Sequence, residues 1–162
     1  FSADTHRGWK MLAGGHGNSN PNTNYLKSRG LWVAYSIGML VLHLILLSIP
    51  PLSIPMAWTL TNQVHNAVTF IVLHILKGVP WIPPDQGDTR LLTHWEQIDE
   101  GRQFTKTRKF LTASPVLLFF LTCFYTDYEP HHFVANFLSV ILVTLPKLPL
   151  FHKVRLFGIN KY

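Results

Sequence analysis

The chain has 162 residues, of which 48% are hydrophobic, 13% aromatic and only 14% charged, and it carries a formal net charge of +6. Soluble domains run near about 25% charged residues, so this chain has too few to coat a water-facing globule, while its apolar content excludes a disordered chain. The single cysteine, Cys123, precludes an internal disulfide and a cysteine-cluster metal site, and the basic excess reads better as cationic loops beside a membrane than as a nucleic-acid surface.

In chain order, residues 1–12 look unlike the remainder, and Met11 reads as a natural start preceded by foreign residues 1–10. Residues 13–24, AGGHGNSNPNTN, are small, polar and turn-prone, so residues 1–30 are expected to form a flexible arm. Residues 31–49 are 19 positions without a charge, about 28 Å as a helix and enough for a bilayer crossing. Pro50 and Pro51 stop that segment, and a second uncharged run covers residues 56–76 before Lys77, Gly78 and Pro80. The loop 77–109 starts proline-rich. Its residues 89–101 then place Leu91, Leu92, Trp95 and Ile98 at roughly helical spacing, which predicts an amphipathic segment along a membrane. Residues 110–126 predict a third span. Residues 133–146 are short for a fourth, which extends to about residue 151 if Lys147 snorkels.

The predicted fold class is therefore an all-α integral membrane protein with four transmembrane helices in residues 31–162. All 14 Lys and Arg residues fall in 1–30, 77–109 or 147–161, and the short loops 50–55 and 127–132 have none. The positive-inside rule then puts both termini and the long loop in the cytosol. Trp32, Tyr35, Trp58, Trp81, Tyr125 and Tyr128 sit near span ends, where amphipathic rings favour the headgroup zone.

Candidate chemistry is sparse. The nine histidines are scattered and lack metal-ligand spacing, so no metal site is expected. The second span carries Trp58, Asn62, His65, Asn66 and Thr69, whose spacings of 4, 3, 1 and 3 align them on one helical face. In hydrocarbon these groups need partners, so the stripe is expected to meet another helix, a lipid headgroup or water. An ion path would be the sharper reading, but the span has no Asp, Glu, Lys or Arg. His94 with Asp99 five positions on resembles the His-x4-Asp element of glycerolipid acyltransferases, where the Asp orients a His that deprotonates a hydroxyl. The phosphate-binding block those enzymes need is missing, so a lipid acyltransferase-like enzyme using His94 and Asp99 is the alternative reading. Lys106, Arg108 and Lys109, and again Lys153, Arg155 and Lys161, suit contact with anionic lipid or an acidic partner.

The motifs are distinctive in combination. Asn20-Pro-Asn-Thr23, Ser28-Arg-Gly30, Trp58-Thr-Leu-Thr-Asn62, His65-Asn66, Leu92-Thr-His-Trp-Glu-Gln97, Arg108-Lys-Phe-Leu-Thr112, Pro146-Lys-Leu-Pro149 and Val154-Arg-Leu-Phe-Gly-Ile-Asn-Lys-Tyr162 occur in order. Over about residues 13–162 the chain resembles the ORM/ORMDL (orosomucoid-like) family, in its animal branch. The resemblance implies a non-catalytic, cofactor-free negative regulator in the endoplasmic reticulum membrane, with both termini cytosolic. Its implied partners are the catalytic and small subunits of serine palmitoyltransferase, ceramide and membrane lipids, with no nucleic acid. It further implies that the N-terminal arm enters the enzyme's substrate passage, and that Asn22, with His94 nearby, contacts the ceramide headgroup. An Asn amide can donate to and accept from ceramide's amide and hydroxyls without burying a charge.

Overall fold

The computed structural model describes residues 23, 25–28, 30–78 and 87–155. Asn22 and most of the expected N-terminal arm lie outside the described residues.

Helix α1, Leu31–Leu47, follows Gly30, is mostly aliphatic and carries no charged residue. It ends two residues before the expected limit. The Ser48 amide turns back to Leu44 O at 3.0 Å and Ile45 O at 3.2 Å, and the residue before Pro50 is biased away from helical geometry. Helix α2, Ile54–Phe70, starts earlier than expected because Ser53 Oγ accepts the Met56 amide at 3.4 Å and Pro55 fits the first turn. Beyond Phe70 the helix widens into a π-type turn, Ile71–Ile75, closed by the Leu76 amide on Ile71 O at 3.0 Å. This wider turn carries Leu73 and His74 to the loop that follows.

The loop departs from the expected amphipathic helix. A 3-10 turn, Gly87–Leu91, precedes an antiparallel bridge between Lys77 and Thr93, and only the four residues of α3, His94–Gln97, are α-helical. Thr93 and Glu96 form a capping box that starts α3. Asp99 and Glu100, at φ 51° and 60°, then reverse the chain in left-handed geometry. Leu91 is consequently exposed, while Trp95 and Ile98 turn inward, so the four apolar residues do not share one membrane-facing surface.

Helix α4, Lys106–Tyr125, begins four residues before the expected span because Thr105 Oγ1 caps the Arg108 amide at 3.3 Å. Helix α5, Pro130–Thr144, opens on Glu129, whose carboxylate accepts the His132 amide at 3.2 Å, and on Pro130 at its first position. Pro146 and Pro149 then break the chain into two 3-10 turns, Leu145–Lys147 and Pro149–Phe151, so the expected single run to residue 151 is not one helix. Among the described residues only α4, with 20 residues, is long and apolar enough by length and composition to cross a membrane, and α1 is a shorter apolar helix of 17. The four complete crossings expected from the sequence are thus not visible as four long apolar helices.

Helix α2 packs against α1, α4 and α5, and α4 packs against α5. The burial pattern is inverted relative to a water-soluble bundle. Asn62, His65, Asn66, Asn136 and Thr122 are buried, while Val33, Leu40, Leu117, Phe120, Leu138 and Leu142 are exposed. A compact apolar cluster of Leu26, Leu73, Trp95, Ile98 and Leu111 closes the loop end.

Candidate functional site

Two assemblies hold the polar residues. The first is a spine through the bundle. The backbone carbonyl of His132 can only accept, so the Asn136 side-chain nitrogen faces it at 2.8 Å. That turns Asn136 Oδ1 towards Asn62 Nδ2 at 2.8 Å, which turns Asn62 Oδ1 towards Asn66 Nδ2 at 3.2 Å. Asn66 Oδ1 then accepts from His65 Nδ1 at 3.0 Å, leaving His65 Nε2 to accept from the Tyr35 hydroxyl. One peptide carbonyl thereby orients three amides and sets the imidazole tautomer, a polarised chain in which each bond strengthens the next. Ser139 and Thr59 join it from the sides, at 2.9 Å from Asn66 and 3.1 Å from Asn136. Thr69 faces the Tyr35 oxygen together with Ser114. Trp58 stands apart, stacked on Tyr125 with ring centroids 4.4 Å apart.

The second assembly is a hub at the loop end. Gln97 donates to Gly78 O at 3.2 Å and Leu92 O at 3.0 Å, tying both sides of the bridge to α3. Arg108, only 3% exposed, donates to Trp95 O at 2.8 Å, Ile98 O at 3.2 Å and Gln103 Oε1 at 3.2 Å. Its guanidinium also lies 4.8 Å from the Trp95 ring centroid, within cation–π range. Lys147, equally buried, donates to Leu111 O at 2.9 Å. That acceptor is free because Pro115, four residues later in α4, has no amide hydrogen to bond it.

Glu96 connects this hub to the chain's end. Its carboxylate meets Arg155 through two contacts of 2.5 and 2.7 Å and accepts the Thr93 amide at 2.8 Å. Burial pushes the Glu96 carboxyl up, but Arg155 and the Thr93 groups outweigh it and hold the pKa below the usual range. The same pair raises Arg155. A cavity of about 480 Å³ sits beside it, lined by Phe70, His74, Trp95, Glu96, Phe151 and Arg155 among others.

His94 is buried in the hub, and burial lowers its pKa, favouring the neutral imidazole. Its Nε2 shares a hydrogen bond of 3.2 Å with the Tyr25 hydroxyl. The structure does not bring Asp99 to His94: Asp99 Oδ2 is buried with no hydrogen-bond partner among the described residues. Asn22 lies outside those residues, but Thr23 is buried and Leu26 belongs to the hub's apolar cluster. Tyr25→Phe should therefore loosen the root of the arm. A loss of about 1 kcal/mol is expected for the missing bond, read as faster amide exchange in residues 25–28; unchanged exchange would show that the hydroxyl anchors nothing.

Sequence reasoning named Asn62, His65, Asn66 and Thr69, took Tyr35 for an interfacial ring, and missed Thr59, His132, Asn136 and Ser139. A lone Asn136 inside an apolar run was an available signal. Arg108 and Lys147 read as interfacial charges, and the exposed acceptor left by Pro115 was the clue to Lys147.

Comparison with known proteins adds to this geometry. Residues 20–155 match the ORMDL family. The chain is 57% identical over 151 residues to an ORM1-like protein of Drosophila melanogaster, covering 93% of this chain and 98% of that one. It is 57% identical over 147 residues to ORM1-like protein 2 of Homo sapiens and 55% identical over 147 residues to human ORM1-like protein 1. Each of these human alignments covers 91% of this chain and 96% of the relative.

Proposed function

The chain belongs to the ORMDL family, and on that premise we propose that it is a ceramide-responsive negative regulatory subunit of serine palmitoyltransferase. It works by binding, without catalysis, in the endoplasmic reticulum membrane. Helices α1, α2, α4 and α5, lengthened by their apolar flanks, make four crossings, with both termini and the 77–109 loop cytosolic. The inverted burial pattern supports this: exposed aliphatic and aromatic side chains on all four helices suit lipid, and the buried amides satisfy one another where no water is available.

The observation that carries the regulatory reading is the bond between Tyr25 and His94. It fastens the residues just after the Asn-Pro-Asn-Thr sequence to the loop that bears His94. A neutral His94 and an amide from Asn22 suit an uncharged headgroup rich in hydroxyls. Ceramide held there would favour the inhibited arrangement only by its differential affinity for it, about 1–3 kcal/mol in coupled systems.

Reconstitution with serine palmitoyltransferase tests the proposal. The chain should co-purify with the enzyme and lower its activity as ceramide is added; failure to co-purify would sink the reading. Asn22→Ala should assemble normally yet shift the ceramide response by about tenfold, the size of a 1.4 kcal/mol loss. An unchanged response would remove Asn22 from the site.

A further inference from the structure

The hub holds two buried cations without a bonded counter-charge. Arg108 donates only to neutral oxygens and Lys147 only to a backbone carbonyl. Neither forms an ion pair among the described residues, and Arg155 occupies the Glu96 carboxylate. Asp99 and Glu96 act on Arg108 only through space, and the Arg108 Nε is buried with no hydrogen-bond partner among the described residues. Buried charge of this kind is costly unless it is paired.

Both cations line one cavity of about 460 Å³, whose wall also includes Lys109, Trp95, Ala113 and Leu117. Among the described residues no acidic side chain lines it. Its polarity is graded. Cationic groups gather at the start of α4, and the wall turns apolar along Ala113 and Leu117 towards the middle of the helix, which is the pattern of an amphiphile with an anionic head and a hydrocarbon tail. A free anion would leave the apolar half unfilled, and a zwitterionic head, although it offers a phosphate, brings its own ammonium to a wall that already holds Arg108, Lys109 and Lys147 and so offsets less of their charge.

We propose that the groove between α4 and the 3-10 turns after α5 is a binding site for one anionic glycerophospholipid. Its phosphate sits among Arg108, Lys109 and Lys147, and one acyl chain runs along Ala113 and Leu117. The site is separate from the Tyr25–His94 contact. It requires α4 to lie in a bilayer, but it does not require the chain to regulate any enzyme.

The full chain reconstituted in nanodiscs of phosphatidylcholine, with or without phosphatidylinositol, provides the test. Native mass spectrometry should find phosphatidylinositol retained in preference to phosphatidylcholine. Lys109→Gln should reduce that preference by about fivefold, the scale for one basic residue near an anionic surface. Ala113→Phe, which fills the apolar half without altering charge, should abolish retention. Lys109 and Ala113 are both exposed, and thermal unfolding establishes that each variant folds; Lys109→Gln keeps the question decidable if Ala113→Phe does not. Equal retention of phosphatidylcholine, or retention unaffected by a folded Ala113→Phe, would overturn the site. So would inorganic phosphate raising the melting temperature as much as the lipid does, because the pocket would then be an anion site alone. Absence of any retained phosphatidylinositol on the folded parent chain would also refute it.

Discussion

Asn136→Leu should cost the bundle about 2–3 kcal/mol, because it strands the buried Asn62 amide and removes the group that takes its direction from the His132 carbonyl. The residue is fully buried, so water cannot replace it. The Asn62→Leu variant should lose a similar amount. The double variant should lose much less than the sum, since removing both partners leaves fewer unpaired groups. A coupling energy above about 1 kcal/mol, measured by reversible unfolding in mixed micelles, is the expected result. Membrane hydrogen bonds often contribute little singly, because the unfolded helices find other partners. The spine is an exception through its connectivity: Asn136 bonds across to α2 and also fixes which way Asn62, Asn66 and His65 face. Additive losses would mean that the amides are paired but not coupled.

The second large effect is expected at Glu96. Glu96→Ala should destabilise the loop end by about 3 kcal/mol, because it leaves Arg155 without its carboxylate and the Thr93 amide without its acceptor. Glu96→Gln retains an acceptor for Thr93 and should lose about half as much. The two variants therefore separate the cap from the ion pair. The pH dependence follows from the direction of the shift. The folded carboxyl lies below the ordinary 4.5, so its stabilisation is fully present above that value and disappears as acid titrates the folded group. The parent protein should become easier to unfold on the acid side of pH 4.5, and Glu96→Gln should flatten that loss of stability. An identical acid profile in the variant would mean the pair does not contribute to stability.

The sequence revealed helix positions more readily than helix ends. Runs of uncharged residues located α1, α2, α4 and α5, because an apolar segment has one dominant physical option. The limits depended on caps. Ser53, Thr105 and Glu129 each accept an amide and begin helices several residues before the apolar run starts. The stripe on α2 was legible as a face, since Asn62, His65, Asn66 and Thr69 recur at helical spacing. Its partners were not, because Asn136 and Ser139 lie more than 70 residues away and no local pattern pairs them. The loop was misread for a related reason. Leu91, Leu92, Trp95 and Ile98 do have helical spacing, but the Thr93 capping box restarts the chain between them. The left-handed pair Asp99 and Glu100 then reverses it.

The burial of Arg108 and Lys147 shows what charge counting leaves out. A basic residue at the end of an apolar run can face solvent, reach a headgroup or turn inward, and composition cannot separate these outcomes. Geometry does. Carbonyls left free at Trp95 and Ile98 by the broken loop receive Arg108, and the carbonyl released by Pro115 receives Lys147.

The bridge between Lys77 and Thr93, reinforced by the Gly78 amide on Leu92 O at 3.0 Å, has a consequence for how the protein can change. It turns the intervening chain into a closed handle with fixed ends. Lengthening a closed loop is cheap in chain entropy, about 0.6 kcal/mol for each doubling. An insertion ahead of Gly87 would add little more than that closure cost, whereas one within the Gly87–Leu91 turn or between Thr93 and Arg108 would pull Thr89, Trp95, Gln97 or Ile98 out of place. From Gly87 to Arg108, in contrast, the register is locked.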